Sequence, residues 1–551
     1  MRQRRTDAPP TPTPPASAPP ASALSAPALR NAAPRGRKRV LIVNAFFDEY
    51  RRTGGSPSRV PRAMGPVFLA NVFLSELCEL RLYSEQYSGP LHDPQLLAWP
   101  DMLVLTGVTT SFDRMLHLTA YARSLNPKVV VVAGGSPVRA LPRRARRFFD
   151  YVCLGDIEEL ASVVATVFGP DHVAAEMTPR FDLFPARGFI GFVESSRNCN
   201  FRCSFCSLTG ERVRYQSYDL DYIRRQILAC GKKQIVFIDN NFYGNDRRFF
   251  LARIELLKEL HRERRIAGWS ALVTADFFRD PENLARAREA GCQSLFSGIE
   301  SFDEATLKAH NKRHNTLTPQ IELIRGCLEA GIVFSYGIML DPSRRTVADL
   351  RREIGFIVDT PGITLPAFFT LPIPLLGTPY FRECLEQRLF LPNIRLRDMD
   401  GVTLVTRPRD SLEDALSFVR DLPNLRGYRL RALRQMARFL RRYRRTLTPL
   451  QLAAAAELAQ AAPDFLRADG DARSAVPAAP APGEPLREPF PSDPGDRCGR
   501  PPRRRRGRGP RAAAGRRGAS GVAGKRTKRP RRPKPAGSFP VRMDAPLLPL
   551  S

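Results

Sequence analysis

Short apolar runs alternate with helix-patterned segments through most of this 551-residue chain. The first run, residues 40–43 in "KRVLIVNAF", is typical of a buried strand. The segment 111–125, "SFDRMLHLTAYARSL", carries apolar residues at helical spacing. Similar apolar runs follow at 78–87, 102–107, 128–135 and 151–156. Strands that alternate with helices form a parallel sheet with helices on both faces, so we predict an α/β, Rossmann-like domain over residues 38–170.

A second series of strands and helices predicts a partial barrel. Six apolar runs begin with "FIGFVESS", and amphipathic segments such as 247–265 separate them. The six runs lie at 189–196, 233–242, 268–278, 292–301, 332–342 and 365–374. We therefore predict a (β/α)6 partial TIM barrel over residues 185–395, with functional residues at the carboxyl ends of its strands. The polar and glycine residues at those ends are Asp239, Asn240, Asn241, Thr274, Asp276, Ser297, Gly298, Glu300, Gly337 and Asp341.

The two ends of the chain differ from this centre in composition. Residues 1–37 are rich in Pro and Ala and are predicted to be disordered, residues 396–466 read as helical, and 467–551 read as a disordered basic tail. The net charge is +31, of which residues 497–534 supply +17 and residues 1–39 supply +7. Such a tail either binds an acidic surface or nucleic acid or is simply solvated, and we favour the solvated state. The tail contains almost no aromatic residues for base stacking, so we expect no nucleic-acid partner.

Composition also predicts the compartment. The chain has no apolar run of about 18 residues, so no transmembrane segment is expected. Prolines interrupt the N-terminus before a secretory signal could form. The ten cysteines show no disulfide framework. These features predict a cytoplasmic protein.

Three cysteines within eight residues predict an unusual metal centre. In "SRNCNFRCSFCSLTG", Cys199, Cys203 and Cys206 follow the spacing C-x3-C-x2-C. Zinc sites take four ligands, but Cys230 lies 24 residues further on and His261 is more distant. A [4Fe–4S] cluster on three thiolates keeps one iron open to a substrate or cofactor. We predict such a cluster, with zinc as the alternative.

The cysteine motif resembles the C-x3-C-x-Φ-C signature of the radical S-adenosylmethionine (SAM) superfamily, with Phe205 as its aromatic residue. The resemblance implies that SAM binds the open iron and is cleaved to methionine and a 5′-deoxyadenosyl radical. It also implies that SAM contacts polar strand ends, although Asp239 and Asn240 replace the usual Gly-Gly-Glu and only backbone carbonyls would serve there. The other residues that it implies in cofactor binding are Phe205, Thr274, Asp276, Gly298, Glu300 and Ser301. For each polar residue, a purely structural strand-end role is the alternative.

The first domain resembles the cobalamin-binding domain that precedes the barrel in one class of radical SAM enzymes. The similar segments are "RVLIVN", "PDMLVLTG", "KVVVVAGGSP" and "DYVCLGD". The resemblance implies bound cobalamin, whose nucleotide tail would enter near Thr109, Ser111, Gly134 and Gly135. The D-x-H-x-x-G motif of histidine-ligated cobalamin domains is absent from "NAFFDEYRRTGG". The alternative is a structural Rossmann domain without the cofactor.

Together these resemblances imply a cobalamin-dependent methyltransferase that acts on an unactivated carbon of a small molecule. Radical cyclisation or rearrangement without methyl transfer is one alternative, and a cobalamin sensor with a nucleic-acid-binding tail is another. Methylthiolation of tRNA is disfavoured, because only Cys78 and Cys153 precede the motif. Apolar strand ends at 365–381 could line a pocket for a lipid-like substrate, but we favour an ordinary barrel core as their explanation. A flavodoxin- or ferredoxin-type electron donor is the expected protein partner.

Overall fold

A computed structural model of the chain describes residues 36–46, 64–183, 190–211, 213–316, 319–392, 394–421 and 427–458. Its first domain is built on a five-stranded parallel sheet. Its strands are β1 Lys38–Asn44, β2 Cys78–Ser84, β3 Met102–Thr106, β4 Val130–Ala133 and β5 Tyr151–Val152. They lie in the order β2-β1-β3-β4-β5, and every neighbouring pair is parallel. The strand order reverses between β1 and β3. A parallel sheet binds ligands in the crevice beyond its carboxyl edge at such a reversal.

Helices cover both faces of this sheet because its strands are apolar on both faces. Leu41 and Val43 belong to one buried cluster, while Val40 and Ile42 belong to another on the opposite face. The helices are α1 Gly65–Ala70, α2 Glu85–Ser88, α3 Pro94–Ala98, α4 Phe112–Leu125, α5 Ser136–Ala140, α6 Pro142–Ala145 and α7 Ile157–Phe168.

The second sheet is a six-stranded parallel half-barrel. A short antiparallel pair, β7 Ser196–Arg197 and β8 Gln216–Ser217, interrupts the chain between its first two strands. The half-barrel strands are β6 Ile190–Val193, β9 Gln234–Phe237, β10 Gly268–Leu272, β11 Cys292–Glu300, β12 Val333–Met339 and β13 Phe368–Thr370. Their order in the sheet is β13-β12-β11-β10-β9-β6. The carboxyl ends of all six strands therefore meet at one edge.

Helices pack on the outer face of the half-barrel and continue into the C-terminal region. They are α8 Ser207–Glu211, α9 Leu220–Cys230, α10 Arg247–Arg262, α11 Glu282–Glu289, α12 Glu304–Ala309, α13 Gln320–Glu329, α14 Val347–Asp359, α15 Pro379–Glu386, α16 Leu412–Asp421, α17 Arg429–Tyr443 and α18 Pro449–Leu458. One large buried cluster runs from β6 to Phe439 and Tyr443, so α17 shares the core of the half-barrel.

The predicted fold class is confirmed: a Rossmann-like sheet precedes a six-stranded partial barrel, and helices follow. The last predicted strand, at 365–374, is only Phe368–Thr370, because prolines at 372 and 374 lack the N–H that a longer ladder needs. The predictions of disorder concern 1–37 and 467–551, which lie outside the described residues apart from 36 and 37. No helix among the described residues is long and apolar enough to cross a membrane.

Candidate functional site

The three cysteines lie on one loop at the carboxyl edge of the half-barrel. This cysteine loop, residues 198–215, follows β6 and is closed at its base by the pairing of Ser196 with Ser217 in β7 and β8. Asn198 has φ +63°, a left-handed conformation that turns the chain out of β7. Helix α8 begins directly after Cys206. The loop is thus a folded unit with a fixed base.

Backbone hydrogen bonds anchor the far side of the cysteine loop to two helical segments. The amide of Ser204 donates to the carbonyl of His310 at 2.9 Å, just after α12. The carbonyl of Ser204 accepts from the amide of Tyr380 at 3.0 Å, in the first turn of α15. The side-chain amide of Asn311 donates to the carbonyl of Arg202 at 2.7 Å. These bonds fix the cysteine-bearing backbone without using the thiols.

The thiols themselves are sheltered and free. Cys203 is 8% exposed, and Cys199 and Cys206 are half-buried. Burial raises the pKa of Cys199 to about 11 and that of Cys203 to about 12, and it also raises the pKa of Cys206. The thiols therefore keep their protons at neutral pH until a metal centre displaces them.

The donor set fits an iron–sulfur cluster. Three soft thiolates at this spacing are the ligands that such a cluster takes from a protein. Within the described residues, no three His, Cys, Asp or Glu side chains are placed to hold a single metal ion. A [4Fe–4S] cluster on three thiolates keeps one iron open to a further ligand, whereas a zinc site takes four ligands.

A buried ion pair stands beside the cysteine loop. The ammonium of Lys312 donates to Glu300 Oε1 at 2.7 Å, and their side chains are 10% and 15% exposed. The same ammonium lies 5.8 Å from the ring centre of Phe205. Desolvation lowers the pKa of Lys312, but the charge of Glu300 and those of the Cys203 and Cys206 thiolates raise it overall. Lys312 is therefore a fixed positive charge next to two of the three cysteines.

The backbone next to the Lys312–Glu300 pair is closely packed. Glu300 has φ +65°, a left-handed conformation at the end of β11 that turns its carboxylate toward Lys312. A Cβ at Gly298 would collide with the Glu300 carboxylate and lie 2.7 Å from Lys312 Nζ. Asn315 donates to the carbonyl of Gly298 at 2.7 Å. A side chain at 298 would therefore displace the ends of the Glu300 and Lys312 side chains from their present positions.

The end of β10 approaches the loop from another side. The hydroxyl of Thr274 donates to Asp276, and Asn200 of the cysteine loop also hydrogen-bonds to that carboxylate. Burial raises the pKa of Asp276, and its negative charge contributes to the raised pKa of Cys199. Thr274 and Asp276 thus lie on the same side of the half-barrel as the cysteines.

Two predicted site residues use their side chains elsewhere. Asp239 is fully buried; it accepts from the amide of Ser195 and from the Ser196 hydroxyl, both at 2.7 Å, and pairs with Arg253 at 3.4 Å. Its carboxylate is engaged inside the barrel wall, so only its backbone is left for a ligand, while the adjacent Asn240 is half-buried. Ser301 is also fully buried, and its hydroxyl donates to Glu353 at 2.6 Å.

Two histidines that the sequence did not single out lie against the cysteine loop. The ring of His310 lies 5.5 Å from those of Phe205 and Tyr380, and its Nε2 is 3.2 Å from Asp341 Oδ2. His314 stacks on Phe201 at 4.0 Å. Burial lowers the pKa of His314 to about 3, so this ring stays neutral at physiological pH.

The carboxyl edge of the Rossmann-like sheet is lined with small and polar groups. Gly135 has φ +94°, and a Cβ there would lie 2.5 Å from the carbonyl of Gly107. Ser84 and Ser111 are buried, and their hydroxyls have no hydrogen-bond partner within the described structure. Thr109, 6% exposed, precedes Ser111 on a single turn, and Gly134 precedes Gly135. A glycine-lined edge with orphaned hydroxyls fits a polar nucleotide tail.

Ion pairs join this edge to the cysteine loop. Helix α5, which begins after Gly135, packs against α8, which begins after Cys206. Arg139 of α5 pairs with Glu211 of α8 at 2.6 Å and with Asp156 at 2.8 Å. Arg197, at the base of the loop, also lies 3.4 Å from Asp156. The carboxyl edges of the two sheets therefore face each other.

Sequence reasoning missed Lys312, His310, His314 and the Arg139–Glu211 pair. The sequence marks none of them, because each acquires its place through contacts between segments far apart in the chain. The only available signal for Lys312 was its position shortly after a strand with a polar carboxyl end.

Comparison with known proteins agrees with the order of these two domains. Residues 193–354 match the radical SAM superfamily, and residues 96–165 match the B12 binding domain. The hopanoid C-2 methylase of Rhodopseudomonas palustris is 27% identical over 270 residues, which cover 44% of this chain and 50% of that protein. The bacteriochlorophyllide d C-8(2)-methyltransferase of Chlorobaculum tepidum is 28% identical over 209 residues, or 35% and 44% of the two chains. The chain thus spans about half the length of these relatives.

A solved structure shares the fold across both domains. The cobalamin-dependent SAM radical enzyme OxsB, with aqua-cobalamin and SAM bound, superposes with a TM-score of 0.54 at 18% identity. The superposition covers 71% of this chain and 67% of OxsB. Residues 193–354 are therefore a radical SAM domain, and residues 96–165 belong to a B12-binding domain that precedes it.

Proposed function

We propose that this protein is a cobalamin-dependent radical SAM methyltransferase that methylates an unactivated carbon of a small molecule. The observation that carries the proposal is the Arg139–Glu211 ion pair, 2.6 Å long, between the first helix after Gly135 and the first helix after Cys206. It holds the candidate cobalamin edge against the candidate cluster loop. A substrate between them would be within reach of both cofactors.

When bound, the cluster and SAM would supply hydrogen abstraction, and cobalamin would supply the methyl group. Cys199, Cys203 and Cys206 would hold the cluster, with Phe205 packed behind it. Their anchored loop would hold the cluster at the carboxyl edge of the half-barrel.

The chain's own charges would orient SAM. Lys312, fixed by Glu300, would attract the carboxylate of the methionine moiety, because a desolvated ammonium attracts an anion strongly. Thr274 and Asp276 would meet ribose hydroxyls, and the backbone of Asp239 and Asn240 would accept from the amino group. Gly298 would matter by leaving space for the ion pair, and Ser301 would position α14 through Glu353.

The Rossmann-like edge would hold the cobalamin tail through small residues. Gly134 and Gly135 would let the tail approach the backbone, while Thr109 and Ser111 would offer hydroxyls to its polar groups. No histidine is present in "NAFFDEYRRTGG", so the proposal assigns no lower histidine ligand from that segment.

The proposed methyl acceptor is a largely apolar molecule. The two relatives above are named for methylation of a hopanoid and of a bacteriochlorophyllide. In this chain, Phe296 and Phe368 stack at 5.8 Å beside Gly337, where a Cβ would collide with the Phe368 ring. These half-buried rings offer an apolar wall. We further propose a flavodoxin- or ferredoxin-type reductant and a cytoplasmic location, in keeping with nine free cysteines among the described residues.

The test starts with cofactor content of protein made without oxygen in the presence of cobalamin. We expect about four iron and four sulfide per chain and about one cobalt per B12-binding domain. Protein supplied with reductant, methyl-labelled SAM and an apolar extract of the source cells should then transfer label to an extract component and form 5′-deoxyadenosine. Deoxyadenosine without label transfer would favour cyclisation or rearrangement. Cobalt without iron would favour the sensor alternative.

A further inference from the structure

Helix α17 has one face inside the core and another face in solvent. Ala432, Gln435, Phe439 and Tyr443 are buried. The Gln435 amide donates to the carbonyl of Ile363 at 3.2 Å, and the Tyr443 hydroxyl donates to that of Gly362 at 2.8 Å. These contacts fix how the helix is rotated, so its outer face is equally fixed.

The outer face carries a row of exposed leucines. Leu430, Leu433 and Leu440 are 70%, 59% and 36% exposed. Their spacing of three and seven residues places them on one side of the helix, over about 15 Å of its length. Leu430 and Leu433 are the two most exposed large hydrophobic residues in the described part of the chain. Burial of these side chains in an apolar environment would be favourable.

Arginines flank this leucine row. Arg434, Arg438 and Arg441 are exposed and lie along one side of it at helical spacing. No ion pair joins these three to a carboxylate among the described residues, whereas Arg431 pairs with Asp359 and Arg442 pairs with Glu329 further round the helix. We call Leu430, Leu433, Leu440, Arg434, Arg438 and Arg441 the Leu/Arg face.

We propose that the Leu/Arg face docks this protein on a bilayer that contains anionic phospholipid. Leucines flanked by arginines are the pattern of a helix that lies in the membrane interface, with apolar side chains inserted and guanidinium groups on headgroup phosphates. A second signal lies in the sequence of the tail, where residues 497–534 carry a charge of +17 with no acidic residue. Stable membrane attachment generally needs two such signals.

A bilayer fits these observations better than a protein or nucleic acid does. An acidic protein partner would be recognised by the arginines, but it would not account for two leucines exposed by more than half. Nucleic acid would gain nothing from the leucine row and would favour aromatic residues for stacking. The inference does not depend on the proposed methyl transfer, since it concerns a helix outside the cofactor site.

The experiment is vesicle flotation with the full chain. Vesicles of equal parts phosphatidylcholine and phosphatidylglycerol are compared with vesicles of phosphatidylcholine alone, at low and high salt. We expect binding to the anionic vesicles that salt weakens. The triple variant R434Q/R438Q/R441Q should lower the partition coefficient by on the order of 100-fold, from about 1 kcal/mol per arginine. The triple variant L430S/L433S/L440S should lower it to a similar extent.

Matched controls separate this face from general charge and hydrophobicity. R225Q/R248Q/R265Q removes the same charge from exposed positions on other elements, and L125S/L228S/L385S removes three exposed leucines from other helices. Both controls should bind like the wild type, and circular dichroism should show that all variants are folded. A normal yield of 5′-deoxyadenosine from the helix variants would show that the cofactor site is intact.

Four outcomes would overturn the proposal. The full chain fails to float with anionic vesicles, or the helix variants float as well as the wild type, which would place binding in the tail alone. Alternatively, the arginine variant still binds vesicles, but flavodoxin no longer reduces it. This result would make α17 a docking site for the electron donor. Finally, loss of a dimer in the leucine variant without loss of vesicle binding would show that a second copy covers the face.

Discussion

At the scale of single residues, surroundings rather than chemical type separate the cysteines. Nine cysteines are among the described residues. Cys292 and Cys327 are fully buried in the half-barrel core. Cys230 ends α9 and donates to the carbonyl of Ile227 at 3.1 Å. Only Cys199, Cys203 and Cys206 share one loop that faces Lys312, so only these three are placed to act together.

Each of the variants C199A, C203A and C206A should abolish SAM cleavage. The loss of one thiolate leaves a second iron without a protein ligand, and the cluster is then lost or inactive. The measurement is 5′-deoxyadenosine formation together with cluster absorbance in anaerobic protein. C230A, a half-buried thiol outside the loop, is the matched control and should keep both signals. Deoxyadenosine produced at the normal rate by any loop variant would contradict the cluster assignment.

His314 should make the cofactor-free protein sensitive to acid. Burial lowers the pKa of His314 from 6.5 to about 3. Below pH 6.5, the His314 ring therefore binds a proton in the unfolded chain but not in the folded chain. The free energy of unfolding should therefore fall as pH drops below about 6.5, by about 2 kcal/mol at pH 5. H314F keeps the stack on Phe201 and removes the titration. Urea unfolding from pH 7 to pH 5 should show a smaller decline for H314F than for the wild type, and equal declines would refute this origin.

At this scale the sequence predicted residue types better than their contacts. The cysteines were identified because their spacing is local and does not depend on the rest of the chain. The sequence predicts only a backbone contact for Asp239, whose side chain meets Arg253 inside the wall. The contact predicted for Ser301 stays a prediction, and its side chain meets Glu353. Partners on α10 and α14 cannot be read from strand patterns, so the sequence could not show where these side chains point.

At the scale of elements, the joint between α5 and α8 is the feature on which the proposed chemistry depends. Both helices are short, and each begins directly after a candidate cofactor residue, Gly135 or Cys206. The Glu211 side chain is only 9% exposed, so it needs Arg139 as a partner. Parallel strands were predictable as apolar runs because both faces of each sheet are buried. The joint between α5 and α8 was not predictable from the sequence, because it forms between separate domains.

Breaking the joint should uncouple the two cofactors. In R139Q or E211Q, SAM cleavage should continue, because the cysteine loop keeps its other anchors. Methylated product per 5′-deoxyadenosine should fall on the order of tenfold, because small misplacements of reacting groups are costly. R123Q, which breaks the Arg123–Asp150 pair within the first domain, is the matched control and should leave the ratio unchanged. An unchanged ratio in R139Q would mean that the joint does not set the geometry for transfer.

At the scale of the whole molecule, charge and chemistry are segregated along the sequence. The residues brought together at the two sheet edges lie between Asn44 and Asp341, whereas the largest share of the net charge of +31 lies beyond residue 496. Residues 490–551 lie outside the described residues. Catalysis and surface attachment should therefore be separable by truncation.

Deleting 490–551 should leave SAM cleavage unchanged and weaken flotation with anionic vesicles. The deletion removes 18 Lys and Arg residues against three Asp, while the cysteine loop, Lys312 and the α5–α8 joint remain. The Leu/Arg face also remains, so some binding should persist and should disappear when R434Q/R438Q/R441Q is added to the deletion. Cleavage and flotation are measured on the same anaerobic preparation, with folding checked by circular dichroism. Loss of cleavage in a folded truncation would assign the tail a catalytic role, and unchanged flotation would leave α17 as the whole attachment site.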